Sequence, residues 1–154
     1  MPELTIRVPL LPPNSNKSSR IWYVNHKGGQ EFAYDVRRCA VDARNRWETE
    51  RFGWGHQSGE WQTLQKAMIT VSFEIPRSRR GSLPDYGNLL MGMKKAVDQL
   101  TARPGGVGEY AQVGIGLIAD DSPKCLTWAM PLAGEQVIRG EEACTVIKVE
   151  GQVD

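Results

Sequence analysis

One stretch near the middle of the chain limits the fold more than any other. From Ala67 to Ile75, Ile69, Val71, Phe73 and Ile75 fall on one face, and Met68, Thr70, Ser72 and Glu74 on the other. Successive strand side chains point to opposite faces, so this period of two predicts a strand with one covered side and one wetter side. A strand of that kind needs sheet neighbours and an apolar layer laid over it. Pro76 ends it, since proline offers no N–H to a ladder.

Two helical patterns can supply the layer. Val36, Cys39, Ala40, Ala43 and Trp47 recur at helical spacing within Glu31 to about Arg51. The opposite face carries Arg37, Arg38, Asp42, Arg44, Asn45 and Glu48, mixed in sign, which suits solvent as well as DNA. Leu89, Leu90, Met93, Ala96, Val97 and Leu100 form the buried arc of a second helix, with Lys94 at its margin and Asp98 one turn further on. Further strands are expected at Leu4 to Leu10, Ile21 to Val24, Leu126 to Leu132 and Thr145 to Val149, with a tight turn at Lys27-Gly28-Gly29-Gln30. Phe52 to Trp61 reads as a loop whose Trp54 and Trp61 either anchor it or stack on bases. The order β, α, β, α, then β predicts a single α/β (α+β-like) domain over residues 1–154: a mixed sheet packed by two main helices.

Composition excludes little. The 154 residues are 40% hydrophobic and 24% charged, ordinary for a globular domain, and the net charge of +1 gives no overall field to attract a partner. Basic residues nevertheless cluster at Arg37-Arg38, Arg44 to Arg51 and Arg77 to Arg80. Cys39, Cys125 and Cys144 are far apart and in no metal-ligand spacing, so they read as reduced thiols. The N-terminal residues lack the basic and apolar regions of a signal peptide, and no run approaches the ~18 apolar residues of a membrane helix. A soluble cytoplasmic protein without a membrane partner is the expectation. Gly114-Ile115-Gly116 resembles the start of a dinucleotide fingerprint, but the third glycine and the following helix are missing. No P-loop or Gly-x-Ser-x-Gly elbow is present, and neither His26 nor His56 has a context for activating a nucleophile.

The chemistry-bearing residues bracket the second helix. Pro84-Asp85-Tyr86-Gly87-Asn88 precedes it, and Ile118-Ala119-Asp120-Asp121-Ser122-Pro123 follows an intervening glycine-rich turn. Element ends expose side chains beside a rigid scaffold. Carboxylates there can hold a hard cation such as magnesium, which takes oxygen ligands and keeps several waters. Such a metal can ready a water for attack on phosphorus, and Lys94 can neutralise charge developing on the phosphate. Arg77-Ser78-Arg79-Arg80, just upstream, suits a phosphate backbone. The plainer roles stay open: Asp85 or Asn88 as a helix cap, the arginines as solvated charge, and the asparagines of Asn14-Ser15-Asn16 as turn formers rather than phosphate contacts.

In these residues the chain resembles the RusA family of Holliday junction resolvases, common among phage and prophage genes. Leu11-Pro12-Pro13-Asn14-Ser15-Asn16 matches the family's N-terminal proline-asparagine segment. Arg77-Ser78-Arg79-Arg80, Asn88, Lys94, Asp98-Gln99-Leu100 and Asp120-Asp121 follow the family's order, so the likeness spans roughly Leu4 to Met130. The resemblance implies a homodimeric nuclease that uses magnesium or manganese to nick four-way DNA junctions. It implies Asp85, Asp120 and Asp121 as metal ligands, Asp85, Asp121 and Lys94 as the catalytic set, and Arg77, Arg79, Arg80, Asn16 and Asn88 as DNA contacts. One departure stands out. Gly87 occupies the place of the family's second aspartate, removing a charge and a ligand oxygen that Asp120 or Glu74 would have to replace.

Overall fold

The computed structural model describes residues 2–12, 22–52, 60–74, 90–102, 114–129 and 143–154. Along the chain these form β1 (Glu3–Val8), α1 (Trp22–Phe52), β2 (Lys66–Glu74), α2 (Lys94–Asp98), β3 (Leu126–Ala129) and β4 (Cys144–Gln152). The strands make one mixed sheet in the order β1-β4-β2-β3. β4 runs antiparallel to both neighbours, pairing Ile6 with Ile147 on one side and Val71 with Ile147 on the other. β3 lies parallel to β2, with Leu126 opposite Ala67 and Trp128 opposite Ile69. A parallel pair needs a long crossover, and α2 lies within it.

The expected alternation in β2 is realised. Ile69, Val71 and Phe73 are buried, together with Ile6 and Val8 of β1 and Ile147 and Val149 of β4. Each large side chain of this layer contributes about 1.5–3 kcal/mol by leaving water. The other face is wetter and carries the ion pairs Lys148–Glu3 (3.4 Å) and Lys148–Glu150 (3.7 Å). Arg7 there donates two hydrogen bonds to Glu74, at 3.2 and 2.7 Å. The buried Thr145 hydroxyl donates to the Leu10 carbonyl at 2.6 Å, so its polar oxygen is satisfied inside the core.

The covered face is closed by α1, whose Phe32, Ala33, Val36, Ala40 and Ala43 are buried while Cys39 and Trp47 pack against the core. The helix begins earlier than the stripe predicts. Trp22 to Val24, expected as part of a strand, and Lys27-Gly28-Gly29-Gln30, expected as a turn, are both helical. Gly29 lies beside the Lys95 side chain, where an added Cβ would meet its Cδ at 3.4 Å, an ordinary packing distance. Met93, Ala96, Val97 and Leu100 of the second helical region are buried, as its pattern predicts. The segment is interrupted, however: Leu90 and Met91 are helical, Gly92 and Met93 form a turn, and α2 follows. All three cysteines are free thiols. Among the described residues no helix is long and apolar enough to cross a membrane.

Candidate functional site

The acidic pair is positioned by the segment before it. Residues 114–119 thread between the end of α2 and the chain entering β2. On one side, Ile115, Gly116 and Leu117 donate backbone N–H groups to the carbonyls of Gln99, Thr101 and Leu100, at 2.9, 3.1 and 2.9 Å. On the other, Leu64 N–H donates to Leu117 and Ala119 N–H donates to Leu64, at 3.0 and 2.8 Å. Leu117 and Ile118 are fully buried between these contacts.

This threading explains the glycines of Gly114-Ile115-Gly116 without any phosphate. A Cβ on Gly114 would stand 1.9 Å from the Thr101 carbonyl oxygen, and Gly116 has φ of +75°, a conformation costly for other residues. The likeness to a dinucleotide fingerprint is a matter of chain packing. Past Asp121 the chain turns back, with Cys125 and Leu126 N–H both donating to the Ser122 carbonyl at 2.9 Å, and enters β3.

That path brings two of the predicted site residues together. Lys94 and Asp121 line one cavity of about 500 Å³, along with Leu90, Met91, Val97 and Trp128. Lys94 is exposed and Asp121 half-buried. The neighbouring Lys95 instead lies with its side chain over Gly29 of α1, so the two adjacent lysines serve different surfaces. Oδ1 of Asp120 is shut off from solvent, which directs that residue inward while Asp121 faces the cavity. Asp85, Asn88, Arg77, Arg79, Arg80 and Asn16 lie outside the described residues, as do Gly87 and Trp54.

A hard cation needs several oxygens. Among the described residues no three of His, Cys, Asp and Glu come together to hold one. Asp120 and Asp121 can still offer oxygen to a cation that keeps most of its water, as magnesium does. Glu74, a possible replacement for the carboxylate missing at Gly87, has both oxygens engaged by Arg7. The same contact raises the Arg7 guanidinium above its ordinary value, chiefly through the hydrogen bond to Glu74.

Two of the α1 arginines, Arg37 and Arg44, reach other parts of the fold, while Arg38 and Arg51 stay exposed on the helix. Arg37 donates to the Gln99 side chain at 3.4 Å, Arg44 to the Ile115 carbonyl at 3.0 Å, and Arg38 pairs with Asp35 at 3.3 Å. Arg51 sits 4.5 Å above the Trp47 ring. Trp61 takes the anchoring role. It is buried, its ring donates to the Leu117 carbonyl at 3.1 Å, and its backbone N–H donates to Glu48 at 2.9 Å.

Sequence reasoning passed over Trp128, which it placed only as a strand residue. The available signal was an aromatic two positions beyond the core residue Leu126, on a short strand directly after the acidic pair. In the parallel register Trp128 shares the helix-side face with Ile69, yet its ring remains 36% exposed because β3 is the edge strand there. No protein-family model matches the chain, and no curated protein is similar enough to count as a match.

Proposed function

We propose that the chain is a metal-dependent, structure-specific endonuclease that resolves four-way DNA junctions, acting as a homodimer in the cytoplasm of a bacterial host and drawn from phage or prophage DNA metabolism. The observation that carries this reading is the meeting of Lys94 and Asp121 in one groove, from positions far apart in sequence. A lone lysine or aspartate on a surface is ordinary solvation. A cation and a carboxylate facing one cavity beside a buried-side aspartate form a set suited to phosphodiester chemistry.

In this reading Asp120 and Asp121, with Asp85, hold magnesium or manganese. The bound ion supplies activation of a water and stabilisation of the leaving oxygen. Lys94 places its ammonium against the phosphate oxygens as negative charge builds there. Asp121, as one of the ligands, would hold the ion in the space into which Lys94 also projects. Arg77, Arg79, Arg80, Asn16 and Asn88 grip the DNA backbone, a contribution that weakens as salt rises. Two copies of the chain match the two-fold symmetry of a four-way junction.

A second reading has its own support. Gly87 stands where the resembled family carries a carboxylate, and Arg7 occupies Glu74, the nearest replacement by sequence reasoning. A protein in that condition binds branched DNA without cutting it. The deciding experiment is cleavage of a labelled four-way junction with magnesium or manganese, set beside Gly87→Asp. Symmetric nicks from the natural protein establish the nuclease. Cleavage by Gly87→Asp alone, with junction binding by both, establishes the binding protein. Absence of salt-sensitive junction binding by either rejects both and leaves a protein-interaction role.

A further inference from the structure

The cavity holding Lys94 and Asp121 is not built for a phosphate alone. Among the described residues six line it, and four of these are apolar: Leu90, Met91, Val97 and Trp128. A pocket for a bare anion would present several donors, as phosphate sites do. Among its described residues this one pairs the Lys94 ammonium with a flat, partly open indole and an aliphatic wall, at a volume within the ~300–1,000 Å³ typical of small-ligand sites. A ligand matching that lining has a planar π face and a negative charge a few atoms away. A nucleotide with its base out of the stack fits that description.

Tryptophan usage on this chain sharpens the point. Trp61 is buried and meets Trp47 edge to face at a centroid distance of 4.8 Å. Those rings are consumed by the core. Trp128 instead keeps 36% of its surface in solvent, and Met91, which lines the same cavity, keeps 71%. An unbranched methionine at a groove lip adapts to rings of different shape. Every base offers a π face, so such a platform accepts bases with little regard to sequence.

We propose that Trp128 is a base-stacking platform: it seats the unpaired base next to the scissile phosphate, with Leu90 and Met91 completing the apolar lining and Lys94 meeting its phosphate. This assignment rests on the nuclease or binding reading above, and it adds the substrate feature that the groove selects. That feature is a nucleotide free to leave the stack, as at a branch point, rather than one held in an intact duplex. Placing the base on Trp128 fixes the adjoining phosphate against Lys94 and Asp121.

The test uses the full chain without metal, so that binding is read apart from cleavage. Affinities for a four-way junction and for an intact duplex of matching arm sequence are measured for the natural protein, Trp128→Ala and Trp128→Phe. Intrinsic tryptophan emission is followed while an oligothymidylate is added. Stacking on an aromatic predicts about a tenfold loss of junction affinity for Trp128→Ala and less than about threefold for Trp128→Phe. Duplex affinity should move by less than about twofold in both, since a paired base does not reach the platform. Oligothymidylate should quench emission of the natural protein and lose most of that effect in Trp128→Phe.

Several results overturn the proposal. Equal junction affinity for Trp128→Ala, with quenching retained in Trp128→Phe, rejects the platform and leaves the nuclease reading standing. Equal losses on junction and duplex make Trp128 a structural residue. A shift from dimer to monomer by light scattering in Trp128→Ala makes the groove a contact between copies. Failure of the natural protein to bind junctions at all rejects the underlying reading, and the platform with it.

Discussion

Two corners of the molecule hold the same kinds of side chain and treat them in opposite ways. At the end of α1, Trp47, Trp61, Glu48, Arg44 and Arg51 close on one another and on the threaded segment 114–119. At the edge of the sheet, Trp128, Lys94 and Asp121 line a cavity instead. An aromatic ring, a cation and a carboxylate are present in both places. In the first they are spent on joining α1 to a distant part of the chain. In the second they front a space that a ligand can enter. Residue type therefore says little about function until the location of its partners is known.

The largest expected effect is on stability, and it separates the two corners. Trp61→Ala removes a buried ring along with its hydrogen bond to Leu117, and should cost about 3–5 kcal/mol in urea unfolding. Trp128→Ala, at a half-open edge position, should cost under about 1.5 kcal/mol in the same measurement. Similar losses at both sites would erase the distinction.

Next in size is an effect on chemistry. Asp121→Asn keeps the shape of the groove and removes its negative charge. Cleavage of a four-way junction should fall by at least about a hundredfold, the scale of a lost principal electrostatic group, while junction affinity holds. Cleavage at the natural rate would remove Asp121 from the reacting set.

The smallest effect concerns thiols on the closed side of the molecule. Burial pushes the Cys144 thiol above its ordinary value, with Arg7 pulling the other way and Glu74 adding to the rise. Burial does the same for Cys39, against the pull of Arg38. A group whose folded value is raised contributes stability that is whole below its unfolded value and is lost as pH climbs through the folded one. Stability should therefore decline on the alkaline side of the ordinary thiol value, and Cys144→Ala should flatten that decline. A slope identical in Cys144→Ala would mean that the thiol ionises as freely folded as unfolded.

How much of this could be read beforehand depended on where each residue finds its partners. The alternation of Ile69, Val71 and Phe73 announced its strand because the signal is local. The stripe Val36, Ala40 and Ala43 announced its helix for the same reason. Gly28-Gly29 misled because glycine pairs mark turns in isolation, whereas both lie within the long helix α1. The α1 arginines could be read as solvent-facing or DNA-facing, yet Arg37 and Arg44 find partners at Gln99 and Ile115, which no local pattern contains. Lys94 and Asp121 were legible as candidates, but their common cavity required the path of residues 114–119. Trp128 was illegible because its exposure depends on which strand ends the sheet.

The position of β4 has a consequence for how the chain is made. This strand, Cys144–Gln152, lies between β1 and β2 and pairs with both, so the sheet joins residue 3 to residue 150. A ribosome extends a chain at roughly 5–20 residues per second, and until β4 emerges, β1 and the β2–β3 pair have no strand to connect them. For several seconds β1 lacks the strand that pairs with it and β2 has only β3. Contacts of such long sequence separation also slow folding after release. The newborn protein is thus most exposed to aggregation in the interval before β4 arrives, and shortening the chain within β4 would remove the strand that bridges two pieces of sheet.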